Sequence, residues 1–147
     1  RNGLVSATGP RFLPMGRDVA VIEQTITIAT GDITLNALWS IGYVPRNCRV
    51  LDVTLVCTSL DSNGTPLLVI AAGDPGDDDR FIASATTARA GGRVSAGNTT
   101  ATGASFAAHT GYTEDTLVSI KVSTSAATAA AGTIKATILY EATEPPV

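Results

Sequence analysis

Val118-Ser119-Ile120-Lys121-Val122-Ser123, followed eleven residues later by Ile134-Lys135-Ala136-Thr137-Ile138-Leu139-Tyr140, decides the fold. In both stretches the apolar side chains fall on every second residue. Val118, Ile120 and Val122 alternate with Ser119, Lys121 and Ser123; Ile134, Ala136, Ile138 and Tyr140 alternate with Thr133, Lys135, Thr137 and Leu139. A period of two puts one face of an extended chain inward and the other outward, which is the pattern of a half-buried strand. Residues 124–132 between them are all Thr, Ser, Ala or Gly, and their length predicts a hairpin tip.

The same period recurs upstream. From Val19, Ile22, Ile26 and Ile28 share one parity, and Glu23, Thr25 and Thr27 the other. Thr30-Gly31-Asp32 reads as a turn, and Ile33 to Ile41 as a second strand that carries Trp39, the sole tryptophan. Tyr43-Val44-Pro45-Arg46-Asn47 breaks it. Leu51, Val53, Leu55 and Cys57 then alternate with Asp52, Thr54, Val56 and Thr58, up to a turn at Leu60-Asp61-Ser62-Asn63-Gly64. Leu67 to Ala72 is a continuous apolar run, as expected of a strand covered on both faces. Asp78 to Ala90 predicts one short helix, with Phe81, Ile82 and Ala85 near one face and Gly91-Gly92 ending it. Residues 93–111 read as a long loop with room for one strand, and Glu144-Pro145-Pro146 stops the last strand.

Six or seven short strands with turn signals between them predict an all-β, antiparallel β-sandwich of jelly-roll-like type, or a barrel. Residues 19–147 form that one domain. Residues 1–18, broken by Gly and Pro yet carrying Leu4, Val5, Phe12, Leu13 and Met15, predict an extended N-terminal arm that lies on a surface, its own or a neighbour's, the alternative being a partly disordered terminus.

Composition narrows the function. Charged residues are 16% of the 147 and the net charge is −3, with no basic cluster to displace counterions from phosphates, so direct nucleic-acid binding is not expected. No apolar run approaches the ~18 residues of a membrane-spanning helix, and no secretion signal is visible. Cys48 and Cys57 on one strand would lie roughly 30 Å apart at about 3.3 Å per residue, too far to bridge, so both are read as reduced thiols. His109, the only histidine, sits in a small-residue loop without a marked nucleophile, and no G-x-S-x-G elbow is present. No zinc spacing and no phosphate loop occurs. No catalytic, cofactor or metal residue is therefore assigned.

The densest charge is Gly73-Asp74-Pro75-Gly76-Asp77-Asp78-Asp79-Arg80-Phe81. Calcium is the metal its oxygens would suit, and Asp61-x-Asn63-Gly64 offers a second such set, but neither has full calcium-loop spacing. The preferred reading is a strand-to-helix loop in which Asp77 or Asp78 caps the helix, with Phe81 and Ile82 returning to the core. Trp39, Tyr43 and Tyr112 together could form a stacking platform for a carbohydrate or receptor, as in a fibre or tail module.

Several phrases share a layout with a known group. Val50-Leu51-Asp52-Val53 precedes the Leu-Asp-Ser-Asn-Gly turn; an apolar strand ends Ala72-Gly73-Asp74; then come Asp79-Arg80-Phe81-Ile82-Ala83 and Ala88-Arg89-Ala90-Gly91-Gly92. Over roughly residues 35–140 this resembles the small β-rich decoration, or cement, proteins of tailed-bacteriophage heads. The resemblance implies a homo-oligomer, often a trimer, bound outside the shell of major capsid protein, where it clamps neighbouring capsomers. It also implies a location on the virion head after synthesis in the bacterial cytoplasm, and no catalytic residues. Leu4, Val5, Phe12, Leu13 and Met15 of the arm, with Arg80 and Arg89, are the candidate interface residues.

Overall fold

The computed structural model describes residues 19–98 and 102–143. Eight strands run in order: β1 (Val19–Ile28), β2 (Leu38–Val44), β3 (Cys48–Cys57), β4 (Val69–Asp74), β5 (Asp77–Ala85), β6 (Gly92–Ser95), β7 (Thr116–Thr124) and β8 (Gly132–Ala142). They make two four-stranded sheets, ordered β1-β8-β3-β6 and β2-β7-β4-β5, with every pairing antiparallel. In this order β1 pairs with β8, β2 with β7, β3 with β6 and β4 with β5. The chain is thus one long hairpin, closed at the β4–β5 turn and rolled into two layers: a jelly-roll sandwich, not a barrel.

The core lies between the layers. One sheet contributes Ile28, Val50, Val53, Leu55, Ile134, Ala136 and Ile138; the other contributes Trp39, Ile41, Ile70, Phe81, Val118, Ile120 and Val122, all buried. The alternation that predicts β7 and β8 is realised as far as Ile138, since Val118, Ile120, Val122, Ile134, Ala136 and Ile138 have no exposed surface, while Tyr140 is only partly buried. In β3 a register shift between Val50 and Asp52 changes the parity. Val50 and Val53 both face inward while Leu51 is only half-buried, because a bulge inserts one extra residue and turns the chain over.

Three expectations are corrected. There is no helix over Asp78–Ala90: Asp77–Ala85 is strand β5, followed by a single 3-10 turn at Thr87–Arg89. The second strand begins at Leu38, not Ile33, and continues through Val44. Residues 124–132 are not a hairpin tip, because β7 and β8 lie in different sheets; this segment crosses from one layer to the other. Asp61 pins the crossing. Its buried carboxylate accepts N–H bonds from Leu67 (2.8 Å), Leu68 (3.1 Å), Ala127 (2.9 Å), Thr128 (3.0 Å) and Asn63 (3.2 Å).

Candidate functional site

The aspartate-rich stretch is the β4–β5 hairpin. Asp74 and Asp77 are paired across the turn, and Pro75-Gly76 form it. Asp at the first turn position and Pro at the second suit a type I turn, where proline's fixed φ is already correct. Asp74 is buried. Its Oδ1 accepts from the backbone N–H of Gly76 and of Asp77, each at 3.0 Å, and from an Arg80 terminal nitrogen at 3.2 Å. Its Oδ2 accepts from Arg80 Nε at 2.6 Å and from the Tyr112 hydroxyl at 2.7 Å. Burial opposes the Asp74 charge, but the Arg80 and Tyr112 bonds and the Arg80 charge outweigh it and hold the carboxyl below its ordinary range. Burial, then the bond to Asp74, pushes the Tyr112 hydroxyl far up.

The other three aspartates face outward but have partners of their own. The Ser105 hydroxyl donates to Asp77, and Lys121 Nζ to Asp78 at 2.6 Å. The Ser105 bond, then a side-chain bond with Asp79, lowers Asp77, and that same bond, then burial and the adjacent negative charges, raises Asp79. Oxygens of Asp77, Asp78 and Asp79 lie within 4.8 Å of one another. Asp61, the other oxygen-rich position, has its lone pairs spent on backbone amides. Burial works against its charge, yet those amides hold it well below the carboxylate range.

His109 is not a solvated loop residue. Its Nε2 accepts the Val50 N–H at 3.1 Å, and its ring packs on Tyr112 (centroids 4.7 Å apart) and edge-on to Phe81 (5.6 Å). Phe81 in turn meets Phe106 edge-to-face at 5.3 Å. Burial, then the Arg80 charge, lowers the imidazole pKa, which fits a neutral ring that accepts a backbone hydrogen bond. His109 thus cements the 103–112 segment onto β3 and β5, a role its lone position in a small-residue loop does not signal. Cys48 and Cys57 are both free and buried, and burial pushes the Cys57 thiol up to about 12.

Arg80 and Arg89 both turn inward on their own chain. Arg80 is committed to Asp74, and Arg89 donates from Nε to the Leu68 carbonyl at 2.9 Å and from a terminal nitrogen to that of Leu67 at 3.3 Å. Leu4, Val5, Phe12, Leu13 and Met15 lie outside the described residues. The three rings proposed as a stacking platform are not brought together: Trp39 is only 8% exposed and points into the core, while Tyr43 is 64% exposed on the outer face of β2. Tyr43 and Tyr112 do share a groove of about 520 Å³ with Pro75, Glu114, Asp115 and Leu117. An adjoining hollow of about 240 Å³ continues past Pro75 and Leu117 to Leu38 and Asp78. Sequence reasoning misses this groove, because the residues that line it come from β2, β7, the hairpin and the 111–117 loop.

Fold and site together define an eight-stranded jelly roll whose buried charges serve its own loops. No protein-family model and no curated protein matches the chain. Among solved structures it is similar to a chain of the cyanophage Pam1 capsid asymmetric unit: 27% identity, 92% of this chain and 93% of that one covered, TM-score 0.72. It is also similar to a chain of the capsid of Ralstonia phage GP4, at 21% identity over 96% and 93% of the two chains with a TM-score of 0.68. A third likeness is to a chain of the acid-stable capsid structure of Helicobacter pylori bacteriophage KHP30, at 10% identity, 86% and 89% coverage and a TM-score of 0.56. The structural neighbours are phage capsid chains. The two below 25% identity speak for the fold alone.

Proposed function

We propose that this chain is a non-enzymatic structural protein of a bacteriophage virion, which forms a homo-oligomer, a trimer, on the outer surface of the head and joins neighbouring capsomers of the major capsid protein. The observation that carries the reading is the end-to-end likeness, at 27% identity, to a chain within the cyanophage Pam1 capsid. The match spans nearly all of both chains, so the likeness is to the whole jelly roll and not to a fragment of it. The site chemistry agrees: the carboxylates of Asp61 and Asp74 and the imidazole of His109 are spent on the protein's own backbone and loops.

Each contact with the shell need not be strong, because an oligomer that grips several capsomers at once gains from effective concentration. The contact surfaces are the arm at 1–18 and the segments at 73–81 and 92–111, with Arg80 holding the β4–β5 turn in shape. Light scattering on the purified protein, followed by co-sedimentation with heads lacking it, tests the reading. A trimer that saturates the heads at a fixed ratio is expected. A monomer, or a protein that stays in the supernatant, would overturn it. Deleting residues 1–16 is expected to weaken head binding or trimer formation, and unchanged occupancy and mass would remove the arm from the interface.

A further inference from the structure

The outer face of the β2-β7-β4-β5 sheet carries apolar surface that the described chain leaves uncovered. Leu38 is 63% and Tyr43 64% exposed. Tyr43 stands opposite Leu117, and Leu38 opposite Lys121. The two hollows described above meet at Pro75 and Leu117 and form one trough along this face. Its outer end holds Glu114 and Asp115. Neither carboxylate joins an ion pair among the described residues; Asp115 accepts the Arg46 backbone N–H, and Arg46 lines a further hollow together with both of them. Asp78 at the inner end is neutralised by Lys121.

The complement to this trough is written in the chain itself. Residues 11–17 read Arg-Phe-Leu-Pro-Met-Gly-Arg, with an arginine at each end of three large apolar side chains. Pro14 favours an extended backbone, which suits a segment laid along a groove. The arm also joins the domain at the correct end. Val19 pairs with Glu141, and Glu141 with Arg49. At that same end Asn47 receives Thr143 and donates to Tyr112, and Arg46 reaches Asp115. Fully extended, the eight steps from Val19 back to Arg11 span at most about 28 Å, so the trough that receives them lies close to the start of β1.

We infer that residues 11–17 of one copy dock in the trough of a second copy, with Phe12, Leu13 and Met15 on Tyr43, Leu117 and Pro75 and an arginine at Glu114 and Asp115. An arm passed from each subunit to the next makes a head-to-tail contact that closes into a ring. The inference rests on the oligomer proposed above and names the surface that closes it.

The test places a photo-crosslinking phenylalanine analogue at position 12 of the full chain and maps adducts by mass spectrometry, using a mixture of ¹⁴N- and ¹⁵N-labelled protein. Adducts on Tyr43 or residues 113–117 that join a light to a heavy chain are expected. Glu114→Lys and, separately, Tyr43→Glu should each lower their yield about fivefold, as for loss of about 1 kcal/mol, with an unchanged circular dichroism spectrum. Adducts elsewhere, or adducts confined within one chain, overturn the inference. A trimer with adducts elsewhere overturns the trough and leaves the oligomer standing, whereas a monomer overturns the oligomer and the exchange together.

Discussion

At the scale of the residue, two aspartates do unlike things with the same side chain. Asp61 replaces backbone partners for two loops, and Asp74 gathers a turn, an arginine and a tyrosine around one carboxylate. The pair of Asp74 and Arg80 is shielded, with side chains 2% and 21% exposed. Removing one partner of such a pair strands the other, which costs more than the pair contributes. Arg80→Ala is therefore expected to destabilise the protein by about 3 kcal/mol, read as a shift in the urea midpoint. Arg80→Ala with Asp74→Asn should recover part of that loss, because no buried charge remains. Equal losses in the single and double variants would mean that the ion pair is not what matters. That Asp74 is charged and sits at a turn is legible in the sequence; that Tyr112, thirty-eight residues away, completes its shell is not. Contacts of this range depend on which loops the topology brings together.

At the scale of the element, the stretch that misled is β5. Aspartates ahead of Phe81, Ile82 and Ala85 imitate the start of an amphipathic helix, and local signals favour that reading. The long-range pairing with β4 wins, because it satisfies the backbone in a sheet and buries Phe81 and Ile82 on adjacent positions. This works only because the β4–β5 ladder has two register shifts and the edge of β5 is covered where Gly103 N–H bonds to the Phe81 carbonyl at 3.1 Å. Bulges of this kind carry no mark in composition, whereas the regular alternation of β7 and β8 does. Gly73 is the residue that lets β5 press close: a methyl group there would collide with the backbone of Asp77, Asp78 and Asp79. Gly73→Ala should thus cost about 2–3 kcal/mol by overpacking. Gly31→Ala, where nothing lies near the added methyl, serves as the neutral control. An equal effect at both positions in chemical denaturation would show that close approach at Gly73 is not the cause.

At the scale of the whole molecule, the jelly roll joins the beginning of the described chain to its end, with β1 running along β8 from Val19↔Glu141 to Ile28↔Gly132. The all-β class and the sandwich are readable from the strand period, but this strand order is not, because alternation gives a strand its faces and not its neighbours. Three titrating positions then fasten distant parts of the roll: His109 holds the 103–112 segment to β3, Asp61 holds the crossing between the sheets, and Asp74 holds the hairpin. All three have pKa values lowered in the folded protein. A lowered group binds fewer protons folded than unfolded, so the stability it contributes is present above the unfolded value and drains as pH falls below it. For the histidine that loss begins near pH 6.5, and for the aspartates near pH 4. The raised Asp79 works the opposite way in the lower window, since its protonation favours the bond to Asp77, removes the burial penalty on its charge and relieves repulsion from Asp77 and Asp78. Stability should accordingly fall in two steps on acidification, a first that begins near pH 6.5 and a steeper one below about pH 4. His109→Gln keeps an acceptor for the Val50 N–H without a titrating ring. In that variant the upper step should vanish and the lower one remain. Denaturant midpoints measured from pH 7 to pH 3 check this, and an upper step that survives in His109→Gln would place its origin outside the imidazole.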